Sequence, residues 1–199
     1  KRLVGLSALD RNDVVVFKYP EEPKTMYVKR CVGLAGDTLK ISKGRLNING
    51  RPMEEPSTVM NYYHVWGNDT TALHKAMDLL NVNFKTVKPG EDKIVTEVRL
   101  SSPQLRQVKA LSSVDSIGPL VYPAKKGTRI FPNDASFNWS VDEFGPLVIP
   151  RKGMQMKLTH DHMVFYQNLL EKYEQVKPEA VAGGWLVDGE PCETYTFKK

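Results

Sequence analysis

Along the first fifty residues the apolar positions fall in short runs, or alternate with polar ones, between turn residues. Asp13-Val14-Val15-Val16-Phe17 is β-branched and apolar, closes at Tyr19-Pro20, and predicts a strand covered on both faces. Met26 to Gly33 predicts a second strand, and Gly33-Leu34-Ala35-Gly36-Asp37 supplies two flexible glycines for a sharp turn. Beyond it Leu39 and Ile41 alternate with polar residues, Gly44 turns the chain, and Leu46 and Ile48 alternate up to Asn49-Gly50, a strong hairpin signal. The pattern is that of an antiparallel β meander.

From about Pro52 the texture changes to mixed helix and strand. Thr70 or Thr71 is placed to cap a short helix with Leu73, Met77 and Leu80 on one face. Ile94 to Leu100 alternates like a strand, and Ser102-Pro103 opens a second helix bearing Leu105, Val108 and Leu111. Ile117 to Pro150 carries five prolines and reads as extended loops with short strands. Met163, Tyr166, Leu169, Leu170, Tyr173 and Val176 recur at helical steps until Lys177-Pro178. Trp185-Leu186-Val187-Asp188-Gly189-Glu190-Pro191 then echoes Leu46 to Pro52, a strand entering an Asx-Gly turn. The expected fold is mainly β with an α+β insertion: residues 1–51 and 185–199 form a β-rich core portion, and 52–184 an inserted mixed helix and strand region.

Composition refines this picture. At 199 residues, 41% hydrophobic and 26% charged, the chain is an ordinary globular one able to bury a core. Its longest apolar run, Val14 to Phe17, is far too short for a transmembrane helix. The +5 net charge is thinly spread, no basic run exceeds two residues, and aromatics do not interleave with it, so no nucleic-acid partner is expected. Cys31 and Cys192 permit at most one disulfide and offer no metal-ligand spacing. No cofactor or metal is expected.

The stretch from Tyr27 to Asp37 carries the most chemistry. Strand alternation puts Lys29 on the side of Tyr27 and Cys31, and Arg30 with Val28 and Val32. A lysine desolvated on an apolar strand face loses its preference for the ammonium form and becomes a candidate general base near pH 7. The same pattern also suits a lysine at a strand edge with its amine in water.

Arg11 to Phe17, followed by Tyr27 to Thr38, resembles two consecutive motifs of bacterial type I signal peptidase (leader peptidase). Leu46-Asn47-Ile48-Asn49-Gly50 is similar to that family's hydrophobic-x-Ile-Asn-Gly hairpin. The remainder resembles the long insertion of Bacteroidetes-like forms, with Phe144 to Pro150 and Tyr195-Thr196-Phe197-Lys198 matching. The resemblance implies that Lys29 is the general base of a Ser-Lys dyad. It also implies that Val16, Tyr27 and Val28 line a shallow apolar cleft for the small residues before a signal-peptide cleavage site. Arg30 and Asp37 match the motif and read as structural, a charge pair and a turn-capping acid.

Departures limit the match. The family's Ser-Met nucleophile motif and its final Gly-Asp-Asn motif do not occur among these residues. Ser7 is the only serine before Lys29, lies 22 positions upstream and is followed by Ala8, so it does not fit the nucleophile. Asn12 and Ala35 replace the family's Gly and Pro in turns. His160-Asp161-His162 opens a helix as a polar first turn, Glu21-Glu22 and Glu54-Glu55 look solvated, Cys31 reads as a small buried hydrophobe, and Trp66, Trp139 and Trp185 as packing anchors. The implied protein is a serine endopeptidase on the periplasmic side of the inner membrane. It acts on signal peptides of exported preproteins at the membrane surface and is held by an anchor outside this chain. The 199 residues are then an excised, inactive middle portion. The alternatives are a non-catalytic signal-peptidase-like peptide-binding or secretion accessory domain and, more remotely, a self-cleaving repressor peptidase.

Overall fold

The two apolar stretches that open the sequence form β1 (Val14–Lys18) and β2 (Met26–Arg30), an antiparallel ribbon in which Val15 faces Lys29 and Val16 faces Val28. A computed structural model describes residues 8–19, 22, 24–67, 69–90, 93–122 and 130–198. Among these, β1 and β2 pair with each other and with no third strand. The expectation of a strand covered on both faces is therefore corrected: Val14, Val16 and Val28 are each about 60% exposed and Met26 is 56% exposed. A two-stranded ribbon has no second layer to bury its faces. The expected continuous meander likewise breaks after β2.

The chain divides into two compact units, residues 1–52 with 123–199, and residues 53–122. The first continues through β3 (Thr38–Ser42), β4 (Arg45–Ile48) and β5 (Arg51–Pro52), joined by tight turns. Asn49 and Gly50 both have positive φ, 53° and 77°, which is the primed two-residue hairpin that Asn-Gly favours.

In the second unit β6 (Met60–Gly67), α1 (Thr70–Leu79), β7 (Phe84–Gly90), β8 (Lys93–Ser101), α2 (Ser102–Lys109) and β9 (Val114–Pro119) follow one another. The sheet order is β7-β8-β6-β9, every neighbour antiparallel, a split βαβ arrangement. Both helices pack on one face: Leu73 and Met77 of α1 and Val108 of α2 join Tyr63, Val65, Val98 and Leu100 in a single buried cluster. The helix starts differ from expectation in one detail. Asp69, not Thr70 or Thr71, caps α1 by accepting from Ala72 N–H at 2.9 Å, whereas Ser101 and Gln104 form a capping box on α2. On the opposite sheet face Trp66 lies over Gly118, where an added Cβ would stand 3.6 Å from the ring.

Back in the first unit, β10 (Phe144–Val148) pairs with the free edge of β3, giving the order β10-β3-β4-β5. The chain thus rejoins this unit before 185, where the sequence reading places the return, because one of the short strands in the proline-rich stretch pairs with β3. β11 (Gln155–Lys157), α3 (His160–Leu169), a π-helical turn (Leu170–Glu174), β12 (Pro178–Val181), β13 (Gly184–Val187), β14 (Glu190–Pro191) and β15 (Thr194–Thr196) complete it. Their core gathers Met156, Leu158, Met163, Tyr166, Leu170, Val176, Tyr195 and Phe197. The expected helix up to Val176 is interrupted: α3 ends at Leu169, the next turn widens, and Gln175 closes it at φ 59°. Trp139 stacks on Phe165 with centroids 5.2 Å apart, and Trp185 packs on the core just described.

Candidate active site

The β1–β2 ribbon brings together most of the residues singled out in the sequence, and its register sorts them onto two faces. Lys29 and Tyr27 point to one face with Val15 and Phe17; Val16 and Val28 point to the other with Val14 and Met26. Phe17 and Tyr27 stack at 6.3 Å, Tyr19 meets Tyr27 edge-on at 5.2 Å, and Lys29 Nζ lies 5.5 Å from the centre of the Tyr27 ring. Lys29 is exposed among the described residues, which do not supply the desolvation that a strand-face lysine implies; its amine lies over one aromatic face. Val16, Val28, Val14 and Met26 form a contiguous exposed apolar surface flanked by Lys18 and Arg30.

The base of the ribbon is closed by backbone bonds. Asn12 N–H donates to Cys31 O and Cys31 N–H to Asp13 O, both at 2.7 Å, and Arg30 Nη1 donates to Asn12 O at 2.6 Å. Asn12 has φ 74°, the left-handed region in which Gly and Asn are the readily tolerated residues. Cys31 and Cys192 are both half-buried free thiols, which answers the disulfide question left open by the sequence.

Asp37 is buried and charged, and its ion-pair partner is Arg11, at 2.6–3.1 Å through two guanidinium nitrogens. Leu34 N–H and Asn49 Nδ2 each donate to the same carboxylate at 2.8 Å. The Arg11 hydrogen bonds first, then the Leu34 amide, hold its pKa down at about 2 against the opposing effect of burial. Asp37 thus accepts from an amide of its own turn, while Arg30, read from the sequence as part of a charge pair, donates to a backbone carbonyl. The sequence reading did not assign Arg11 a role; both partners lay inside recognised motifs, but no local spacing links positions 26 apart.

The other polar groups stay dispersed. His162 Nδ1 lies 2.6 Å from Lys157 O at the start of α3, where Thr159 caps the helix, so His160-Asp161-His162 is a helix-opening turn. Among the described residues no group of three or more His, Cys, Asp or Glu converges, and no helix is long and apolar enough to cross a membrane. Glu22 accepts from Thr25 and Glu55 from Asn61. Ser7 and Glu21 lie outside the described residues.

Comparison with known proteins gives this ribbon a context. The family model for signal peptidase, peptidase S26, matches residues 1–115, which include the ribbon, Asp37 and the Asn49-Gly50 hairpin. Signal peptidase I of Pseudomonas aeruginosa is 42% identical over 65 residues, covering 29% of this chain and 23% of that protein. Signal peptidase I of Pseudomonas fluorescens is 43% identical over 56 residues, 28% of this chain and 20% of that one. Signal peptidase IB of Staphylococcus aureus is 33% identical over 78 residues, 39% of this chain and 40% of that protein. The matched part spans less than half the length of each of these relatives, and no solved structure matches. With more than half its length matched by the family model, the chain belongs to the signal peptidase family, peptidase S26.

Proposed function

We propose that this chain is the extracytoplasmic portion of a type I signal peptidase, a serine endopeptidase that removes signal peptides from exported preproteins, and that Lys29 is its general base. In this reading the neutral Lys29 amine takes the proton of a serine hydroxyl as the oxygen attacks the scissile carbonyl, then returns it to the leaving amine. No serine in the chain precedes a Met, so the nucleophile belongs to sequence outside these 199 residues and the chain by itself does not cleave.

The observation that carries the reading is the ribbon itself. It presents a lysine on one face and a strip of small apolar side chains, Val16 and Val28, on the other, inside the segment matched by the family. Val16 and Val28 serve as walls for small side chains of a signal peptide, and Tyr27, on the other face, stands beside the Lys29 amine. The unit 53–122 holds seven Lys and Arg against eight Asp and Glu, so the positive surplus lies in the other unit, at 21 against 15. That sign suits work beside anionic lipid on the periplasmic side of the inner membrane, with the anchor elsewhere in the full-length protein.

The test is Lys29→Ala in the full-length protein with a preprotein substrate. Cleavage is expected to disappear while the melting temperature stays within a few degrees. Unchanged cleavage rejects Lys29 as the base, and a wild-type full-length protein that binds but does not cut signal peptides makes this a peptide-binding accessory domain instead.

A further inference from the structure

We propose that Arg11 is a positioning residue for Lys29, fixing the orientation of the ribbon that carries it; this rests on the reading of Lys29 as the base. Along its length the β1–β2 ribbon has little to hold it. Among the described residues its strands pair only with each other, and Val14, Val16, Met26 and Val28 are more than half exposed. Its placement is therefore decided at its base, where, among the described residues, two connections reach the sheet formed by β3, β4, β5 and β10.

The first connection is covalent. β2 runs through residues 31–37 into β3, and this segment is pinned to the residue that follows β10: Gly36 N–H donates to Ile149 O and Ile149 N–H to Asp37 O, each at 2.7 Å. One such connection leaves a ribbon free to swing about it. The second connection is Arg11, three residues before β1, whose guanidinium grips the Asp37 carboxylate through two nitrogens. That carboxylate is in turn held by Leu34 N–H and Asn49 Nδ2, and Asn49 Oδ1 accepts from Thr38 N–H at 2.9 Å. The Arg11 side chain therefore ties the β1 side of the ribbon to the same point from which the β2 side departs.

A bidentate guanidinium fixes angle as well as distance, which a lysine ammonium cannot do. Misplacing a catalytic group by about 1 Å costs on the order of 100-fold in rate. Lys29, between this base and the ribbon tip, moves with any tilt, whereas a substrate strand lying along the ribbon tilts with it. Loss of Arg11 should therefore lower kcat far more than it raises KM.

The experiment compares Arg11→Gln, Arg11→Lys and Lys29→Ala in the full-length protein, with preprotein cleavage kinetics and thermal melting for each. Tyr195→Phe, which weakens the same unit away from the ribbon, is the stability control. Arg11→Gln is expected to lower kcat by tenfold or more with KM within about twofold, and Arg11→Lys to fall between it and wild type. Tyr195→Phe should leave kcat within about twofold. A folded Arg11→Gln with wild-type kcat overturns the proposal, as does a kcat loss equalled by Tyr195→Phe. If Arg11→Gln fails to fold, Arg11→Lys decides: wild-type kcat or failure to fold means that the arginine serves stability alone. Loss of cleavage in Lys29→Ala alongside unaffected Arg11 variants refutes this inference and keeps the functional reading. Full cleavage in Lys29→Ala removes both.

Discussion

Val16 and Val28 face each other directly across the β1–β2 ribbon, each about 60% exposed, while Lys29, one residue on, projects from the other side. The ribbon therefore separates a chemical face from an apolar one. If the apolar face receives the small residues of a signal peptide, Val28→Asp in the full-length protein should cut kcat/KM at least tenfold, by setting an unpaired carboxylate in the binding strip. Val28→Ile should stay within a few-fold. Equal kcat/KM for wild type and Val28→Asp would place the substrate elsewhere.

Asp37 predicts an acid-side stability loss. Its pKa falls from an ordinary 3.8 to about 2 on folding, so the unfolded state binds the proton more readily. The stabilisation is complete above about pH 4 and fades as pH falls towards 2. Asp37→Asn should lower stability near neutrality by about 2 kcal/mol, through lost charged hydrogen bonds, and should flatten the pH dependence in that window. Urea melts at several pH values between 2.5 and 7 check this. Parallel slopes for variant and wild type would mean that Asp37 does not govern the acid limb.

At the alkaline end the controlling pair is Tyr195 and Glu174, joined by a 2.8 Å bond from the phenol to the carboxylate in the core of the first unit. Burial, reinforced by Glu174, pushes the Tyr195 pKa up from its ordinary 10.0, so above pH 10 the unfolded chain releases a proton that the folded one keeps. Stability should fall with rising pH from about 10. Tyr195→Phe should be less stable by about 1–2 kcal/mol at pH 7, because Glu174 keeps its bond from Lys198 N–H, and should show a shallower alkaline slope. Denaturant titrations at pH 7 to 11 measure both effects.

Gly145 sits at φ 87°, and a Cβ there would stand 2.6 Å from Leu39 O, at the bulge where β10 joins β3. Gly145→Ala should cost about 3 kcal/mol, combining left-handed strain with a clash against backbone. Gly50→Ala has φ 77° but open space around the added atom, so it should cost about 1 kcal/mol. Urea midpoints of the two variants isolate the steric part, and similar midpoints would show that strain alone matters.

The sequence by itself determined the elements whose causes are local. Asn49-Gly50 and Asp188-Gly189 both take the paired positive φ that Asx-Gly favours, Ser102-Pro103 opens α2, and the spacing of Leu73 and Met77 buries one face of α1. The Lys29 motif and its resemblance were legible for the same reason: neighbouring residues on one strand keep fixed relative directions. Tertiary structure alone decided what depends on distant partners. The Val14–Phe17 run looks like a core strand, yet it is exposed because no second layer lies over it among the described residues. Ile117 to Pro150 reads as extended loops with short strands, but that Phe144–Val148 is an edge strand depends on the free side that β3 offers it. Arg11 finds Asp37 across 26 positions only when β1 and β2 fold back on each other, since charge pairing follows distance in space, which the order of residues along the chain does not encode.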